Sequence, residues 1–173
     1  MEDKLKYADE DDKVYGLTGV AISVVALDAD SIIESLSLDD DESIEFSRYF
    51  EYVSNPRVSP RIVWNEMVKH FQVLTAMRIA NMMCRNYVRH RRKLSSDIAR
   101  LLKECNRRDG VDGYQLDADE ADVIFDKNYN YFDRLFSYSQ IHQSANEFAE
   151  VLRRQRKMTV SEIIDQLRAI SSF

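Results

Sequence analysis

Residues 61–92 read RIVWNEMVKHFQVLTAMRIANMMCRNYVRHRR and contain neither glycine nor proline. Apolar side chains recur through this stretch at steps typical of a helix. They are Trp64, Met67, Phe71, Leu74, Met77, Ile79, Met83 and Tyr87. The stretch therefore predicts one long helix, about 61–92, around which the rest of the chain packs.

The polar residues of this helix form two rows. The first row is Arg61, Asn65, Lys69 and Gln72. The second row, which we call the basic ladder, is Arg78, Asn81, Arg85, Arg89 and Arg92. Each row steps by three or four and occupies one helix face, but Gln72 and Arg78 differ by about 240° of rotation. The solvent-facing side must then change near Thr75, which predicts a central helix that buries both Phe71 and Met83.

Scarce turn residues extend the helical prediction to the whole chain. Among 173 residues there are four glycines and two prolines, too few for the many turns of an all-β fold. We predict an all-α, single-domain bundle of about five to seven helices around the long helix. Residues 1–13 are expected to be a frayed acidic tail before a single helical domain, 14–173. That domain divides into an acidic N-terminal segment, 14–56, and a basic-centred bundle, 57–173.

Capping signals place the later helices. Ser95 or Ser96 can cap a helix that runs to about Asn106, followed by a polar loop at 109–116. Asp117 with Glu120 predicts a capping box, and Thr159 with Glu162 predicts a second one. Between these two boxes, apolar residues at helical spacing predict further helices.

The N-terminal third is less regular. Val20–Leu27 is rich in β-branched residues, which suits either a strand or a buried helix; a helix is favoured, because a lone strand has no partner. Asp30 is expected to cap a short turn through Leu36, and Asp41 a helix from Glu42 to Val53.

Charge is segregated along the chain. Residues 1–56 carry fifteen acidic and four basic side chains, and residues 57–173 carry fifteen acidic and twenty basic ones, which gives −11 and +5, or −6 in total. Such an arrangement predicts contact between the two parts, or contact of one part with an outside partner. The acidic third, with its cluster at residues 39–42, could shield the basic ladder.

No sequence motif names a reaction, a cofactor or a metal site. Cys84 and Cys105 lack a CxxC partner and suit reduced thiols of a cytoplasmic protein. Glu66 and His70 have the spacing of a ligand pair, but no second pair accompanies them. Residues 109–120 resemble a calcium loop yet lack oxygen ligands at the required positions.

The basic ladder is the remaining candidate site. Arginine matches the geometry of carboxylate and phosphate, so Arg78, Arg85, Arg89 and Arg92 are candidates for binding an anionic partner. A solvated helix face is the simpler interpretation of such a charge run, and a pI near 5.1 argues against dedicated DNA binding.

The sequence therefore favours a non-catalytic, cytoplasmic protein–protein interaction or adaptor protein that binds another protein or itself. One alternative is a nucleic-acid-associated regulator that uses the basic ladder. Another is an enzyme without a recognisable motif. No membrane segment is expected, since Val14–Leu27, the longest apolar stretch, is shorter than the roughly 20 residues of a spanning helix.

Overall fold

The structure, a computed structural model, describes residues 5–47 and 59–168. Over these residues the chain forms a helical bundle with a small sheet, which confirms the predicted all-α class. The six α-helices are α1 (Glu10–Ala26), α2 (Pro60–Met83), α3 (Ser96–Tyr114), α4 (Ala118–Leu135), α5 (Ser139–Gln155) and α6 (Val160–Leu167). The strands are β1 (Ile33–Ser37), β2 (Ile44–Phe46) and β3 (Lys157–Thr159).

Helices α1 and α2 form the centre of the bundle. An ideal Cβ built on Gly19 would lie 2.2 Å from the backbone oxygen of Ala80, so the two helices approach closely only because residue 19 has no side chain. Nearly every residue of α1 from Val14 to Val25 is buried. This burial explains why Val20–Leu27 lacks a polar face, and its helical prediction is confirmed as far as Ala26.

The long helix is present and changes its buried face as predicted. It begins after the cap residue Ser59 and passes at Cys84 into a π-helical turn, Cys84–Arg89. Phe71 is buried in a small cluster with Leu116 and Ala121, whereas Met83 belongs to the main core. Because α4 packs along α2 on one side and α1 on another, the two halves of the helix bury different faces.

The small sheet was not predicted. Strand β1 lies between β2 and β3 and pairs antiparallel with both. Leu36 faces Ile44 on one side and Met158 on the other. The short turn expected from Asp30 is present as a 3-10 helix, Asp30–Ile32, but it ends before Leu36, because residues 33–36 belong to β1. The helix expected from Glu42 is wrong over the described residues 42–47, which contain β2. The rest of that helix, 48–53, lies outside the described part of the chain.

Helix α3 is longer than the sequence indicated. It continues through Gly110 and Gly113 to Tyr114, so the loop expected at 109–116 is largely helical. An added Cβ at Gly110 would lie 2.9 Å from both Ala121 and Phe71, so this glycine serves helix packing rather than a turn. Both predicted capping boxes, at Asp117 and Thr159, are confirmed.

The residues before α1 are held against the bundle. Helix α1 begins at Glu10, inside the segment 1–13 that was expected to be a frayed tail, and Asp12 is buried. Residues 5–8, which we call the strap, lie next to α2 and the π-helical turn, where they accept hydrogen bonds from Arg85. Within the described ranges, no helix combines the length and apolar character needed to cross a membrane.

Candidate functional site

The four candidate arginines occupy different environments. Arg78 lies in α2 with its side chain 39% exposed, and Arg85 lies in the π-helical turn with only 6% exposed. Arg89, also in that turn, is 19% exposed, and Arg92 follows the helix on the surface. They therefore do not form one open cationic stripe.

Arg85 belongs to the π-helical turn and lies under the strap. His90 donates its backbone N–H to the carbonyl of Arg85, five residues earlier, at 3.2 Å. Nη1 of Arg85 donates to the carbonyl of Leu5 at 2.9 Å, and Nη2 donates to that of Lys6 at 2.7 Å and to the carboxylate of Asp12. The guanidinium carbon lies 5.1 Å from the centre of the Tyr7 ring. Nε is buried without a hydrogen-bond partner.

Arg89 also forms ion pairs with acidic residues at the start of α1. Its Nη2 donates to Asp9 at 2.7 Å, and its Nη1 lies 3.0 Å from the Asp12 carboxylate. Asp9 also caps α1, because its side chain accepts the backbone N–H of Asp12 at 2.8 Å. Acidic groups at a helix N-terminus are favoured by the helix dipole. We call Asp9, Asp12, Arg85 and Arg89 the charged cluster.

The charges of this cluster reinforce one another. Burial alone would raise the pKa of the Asp12 carboxyl, but hydrogen bonds from Arg85 and from the backbone N–H of Ala8 outweigh it, so this pKa lies below its ordinary value. The hydrogen bond from Arg89 lowers the pKa of Asp9 and raises that of Arg89. Asp9, Asp12 and Arg89 therefore stay ionised at neutral pH.

The chain's own acids engage most of the basic ladder, and two of them, Asp9 and Asp12, belong to the acidic N-terminal third. Arg78 pairs with Asp109 at 2.6 Å. The acidic run at residues 39–42 lies elsewhere, where Asp39 binds Arg156 at 2.6 Å and Asp40 lies 3.4 Å from Lys157. The screening acids are Asp9, Asp12 and Asp109. The four acids at the start of α1 were a visible capping signal that could have identified the first two.

The two cysteines lie in the interior, and His70 is bonded to a tyrosine. Cys84 and Cys105 are both buried, and burial raises the pKa of the Cys84 thiol far above its usual range. His70 shares a hydrogen bond of 2.8 Å with the Tyr114 hydroxyl rather than completing a ligand set. Across residues 5–47 and 59–168, no three His, Cys, Asp or Glu side chains lie close enough to hold a metal ion.

An apolar groove between α2 and α4 was missed from the sequence. It encloses about 570 Å³. Trp64 and Val123 stand on its two sides with 38% and 67% of their surface exposed. Val68 and Ile124 are half-buried between them, and Leu116 forms part of the base. The sequence places Trp64 among the apolar residues of the long helix. Only its position in the first turns of α2, before the tightly packed half, could have indicated that it is exposed.

The chain was compared with known protein families, curated proteins and solved structures. No protein-family model, no curated protein and no solved structure matches this chain.

Proposed function

We propose that this is a non-catalytic, cytoplasmic interaction protein that binds an amphipathic helix of another protein in the groove between α2 and α4. The observation that carries the proposal is the pair of exposed apolar side chains, Trp64 and Val123, on either side of a half-buried apolar floor. Two neighbouring helices with an apolar groove between them offer a third helix the packing it finds inside a bundle.

Trp64 is the expected anchor of the interaction. Tryptophan is enriched among the few residues that dominate binding energy at protein interfaces. Val68 and Ile124 beside it can bury the next apolar positions of a partner helix, spaced three or four residues apart.

The charge around the groove defines the partner further. Asp119 and Glu120 lie at the start of α4 and line the groove, and Lys69 is the one basic side chain in the described lining. A helix with an apolar face and Lys or Arg on its flanks complements this border. Charge of this kind gives orientation and association rate more than affinity.

The test is selection from a displayed library of helical peptides. Peptides that bind the wild-type chain should have apolar residues at helical spacing with basic flanks. Their affinity should fall at least about tenfold with Trp64→Ala or Val123→Asp, since hot-spot truncation costs about 2 kcal/mol or more. Val111→Asp, at another exposed valine in α3, is the matched control and should leave binding unchanged. Selected peptides that bind all four proteins equally would refute the proposal.

The nucleic-acid alternative depends on the basic ladder, and its engagement by Asp9, Asp12 and Asp109 weakens it. Phosphate contacts would give a steep dependence of binding on salt concentration. Helix binding in an apolar groove would not.

A further inference from the structure

A second cavity lies beside the C-terminal half of α2, next to the strap. It is open to solvent and measures about 730 Å³ between the strap, α1, β2, α2 and α3. Binding sites for small molecules usually measure about 300–1,000 Å³ and are mostly apolar with a few polar groups. This cavity has that size and that composition, and it shares no lining residue with the groove of the proposed function.

Most of the lining is aliphatic or thioether. Its apolar walls include Val20, Ile44, Leu74, Met77, Met82 and Leu102. Methionines adapt their shape to an apolar ligand, because the side chain is unbranched and polarisable. The body of the ligand is therefore expected to be hydrocarbon.

The strap forms one wall of this cavity and is held in place by hydrogen bonds. The side-chain amide of Asn81 donates a hydrogen bond to the Tyr7 hydroxyl at 2.7 Å. Arg85 donates hydrogen bonds to the carbonyls of Leu5 and Lys6. A Cβ on Gly16 would lie 2.5 Å from the Tyr7 ring, so the absence of a side chain there lets the ring pack against α1. The polar groups of the wall are thus fixed before any ligand binds.

Among the described residues of the lining, the charged ones are Lys6 and Arg78, and both are cationic. Arg78 uses Nη2 for Asp109, which lies in an adjoining cavity, and a guanidinium has five N–H donors. The two partners of this pair are 39% and 37% exposed, and ion pairs of that exposure contribute little to stability. An anionic group on a ligand can therefore share or replace Asp109 as the partner of Arg78.

We propose that this cavity binds a small molecule with an extended apolar body and a single carboxylate, in the manner of a medium-chain fatty acid. The hydrocarbon part of the ligand lies against Leu74, Met77 and Leu102, and its carboxylate binds Arg78. This activity is independent of the helix-binding groove.

The test compares dodecanoate with dodecan-1-ol, which has the same chain length without the charge. Titration calorimetry on the full chain should show one site and about tenfold tighter binding of dodecanoate, the equivalent of about 1.4 kcal/mol. Methyl NMR should show shifts at Ile44, Leu74 and Leu102 during the same titration. The absence of saturable binding, or shifts confined to other methyl groups, would overturn the proposal.

Variants separate the two parts of the ligand. Leu74→Trp should fill the cavity and abolish binding of both compounds. Arg78→Met should remove the preference for dodecanoate and leave dodecan-1-ol unaffected. Arg107→Met removes a comparably exposed arginine that pairs with Asp122 outside the cavity, and it should change neither. A preference that survives Arg78→Met would refute the assigned head-group site.

The groove variant Val123→Asp distinguishes the two proposals. It should retain dodecanoate binding while losing peptide binding, because Val123 does not line this cavity. Loss of dodecanoate binding in Val123→Asp would overturn the assignment of the ligand to the strap side.

Discussion

Arg85 and Asp12, seventy-three residues apart in the chain, form an ion pair in which only 6% and 4% of the two side chains are exposed. Removal of one partner of a buried pair leaves an uncompensated charge and typically costs about 3–5 kcal/mol. Because Arg89 stays within 3.0 Å of the Asp12 carboxylate, Arg85→Met should destabilise the fold by up to about that amount in urea unfolding. Arg85→Met combined with Asp12→Leu should be clearly less harmful, since neither charge remains.

The control for this pair is Arg100, whose partner Asp97 and own side chain are both more than 70% exposed. Arg100→Met should cost at most about 1 kcal/mol, as exposed pairs do. If Arg85→Met were as mild as Arg100→Met, the buried pair would not stabilise the fold.

Acid should weaken the fold through the same carboxylate. Because the pKa of Asp12 is lowered in the folded chain, its contribution to stability is complete above the unfolded value of about 3.9. That contribution is lost as pH falls from there through the folded pKa. The free energy of unfolding, measured from pH 6 to pH 2, should fall less steeply in Arg85→Met/Asp12→Leu than in the wild type. Parallel profiles would show that other carboxylates account for the acid sensitivity.

Truncation of the long helix on either buried face should be costly. Phe71 and Met83 are 2% and 0% exposed, and replacement of such side chains by alanine costs about 2–5 kcal/mol. Ile62→Ala, at a position of α2 that is 54% exposed, should cost no more than about 0.5 kcal/mol. Denaturant unfolding of the three variants decides the matter, and a harmless Phe71→Ala or Met83→Ala would contradict the central position of the helix.

Two glycines in helices should respond to alanine in opposite directions. At Gly19 the new Cβ would meet the Ala80 carbonyl at 2.2 Å, and overpacking of this kind costs about 1–3 kcal/mol. At Gly113 no atom lies within 4 Å of the new Cβ, so the higher helix propensity of alanine should add up to about 1 kcal/mol. Thermal unfolding measures both, and a neutral Gly19→Ala would mean that α1 and α2 can separate without loss.

Removal of the acids that pair with the basic ladder should increase the affinity of the protein for polyanions. Asp9→Asn with Asp109→Asn removes partners of Arg89 and Arg78, so heparin affinity should rise at low salt and the gain should shrink as salt screens the charges. Addition of Arg78→Ala and Arg89→Ala should cancel the gain.

The comparison variant is Asp39→Asn with Asp40→Asn, which releases Arg156 and Lys157 instead. Any gain in heparin affinity from this variant should survive Arg78→Ala and Arg89→Ala. If the gain depended on those two arginines, the ladder would be screened by residues 39–42 after all.

The spacing of residues close together in the sequence predicted the features that depend on short-range interactions. The long helix, its change of buried face and the capping boxes at Asp117 and Thr159 depend on neighbouring residues, and all are confirmed. The sheet escaped prediction because β3 pairs with β1 across about 120 residues, and three-residue strands carry almost no periodic signal. Gly110 was interpreted as a turn residue because its contact with Phe71 is visible only in three dimensions.

The candidate site was predicted only in part for a related reason. A helical ladder assumes a constant rotation of about 100° per residue, and the π-helical turn interrupts it between Arg85 and Arg89. Arg85 itself is buried because the strap covers the face of the helix that carries Asn81 and Arg85. The strap lies within the segment 1–13, which the sequence presents as an acidic tail with no sign of such a contact.

The π-helical turn also gives the chain one place at which the loss of a residue can be absorbed. A π-helical turn contains, in effect, one more residue than the α-helix it replaces. Deletion of a single residue such as Asn86 would remove this extra residue and restore α-helical spacing, so the elements on either side would keep their places. Deletion of one residue inside α2 would instead rotate every later residue of the helix by about 100° relative to the residues before it. Such a deletion would separate both Arg85 and Arg89 from the start of α1 at once.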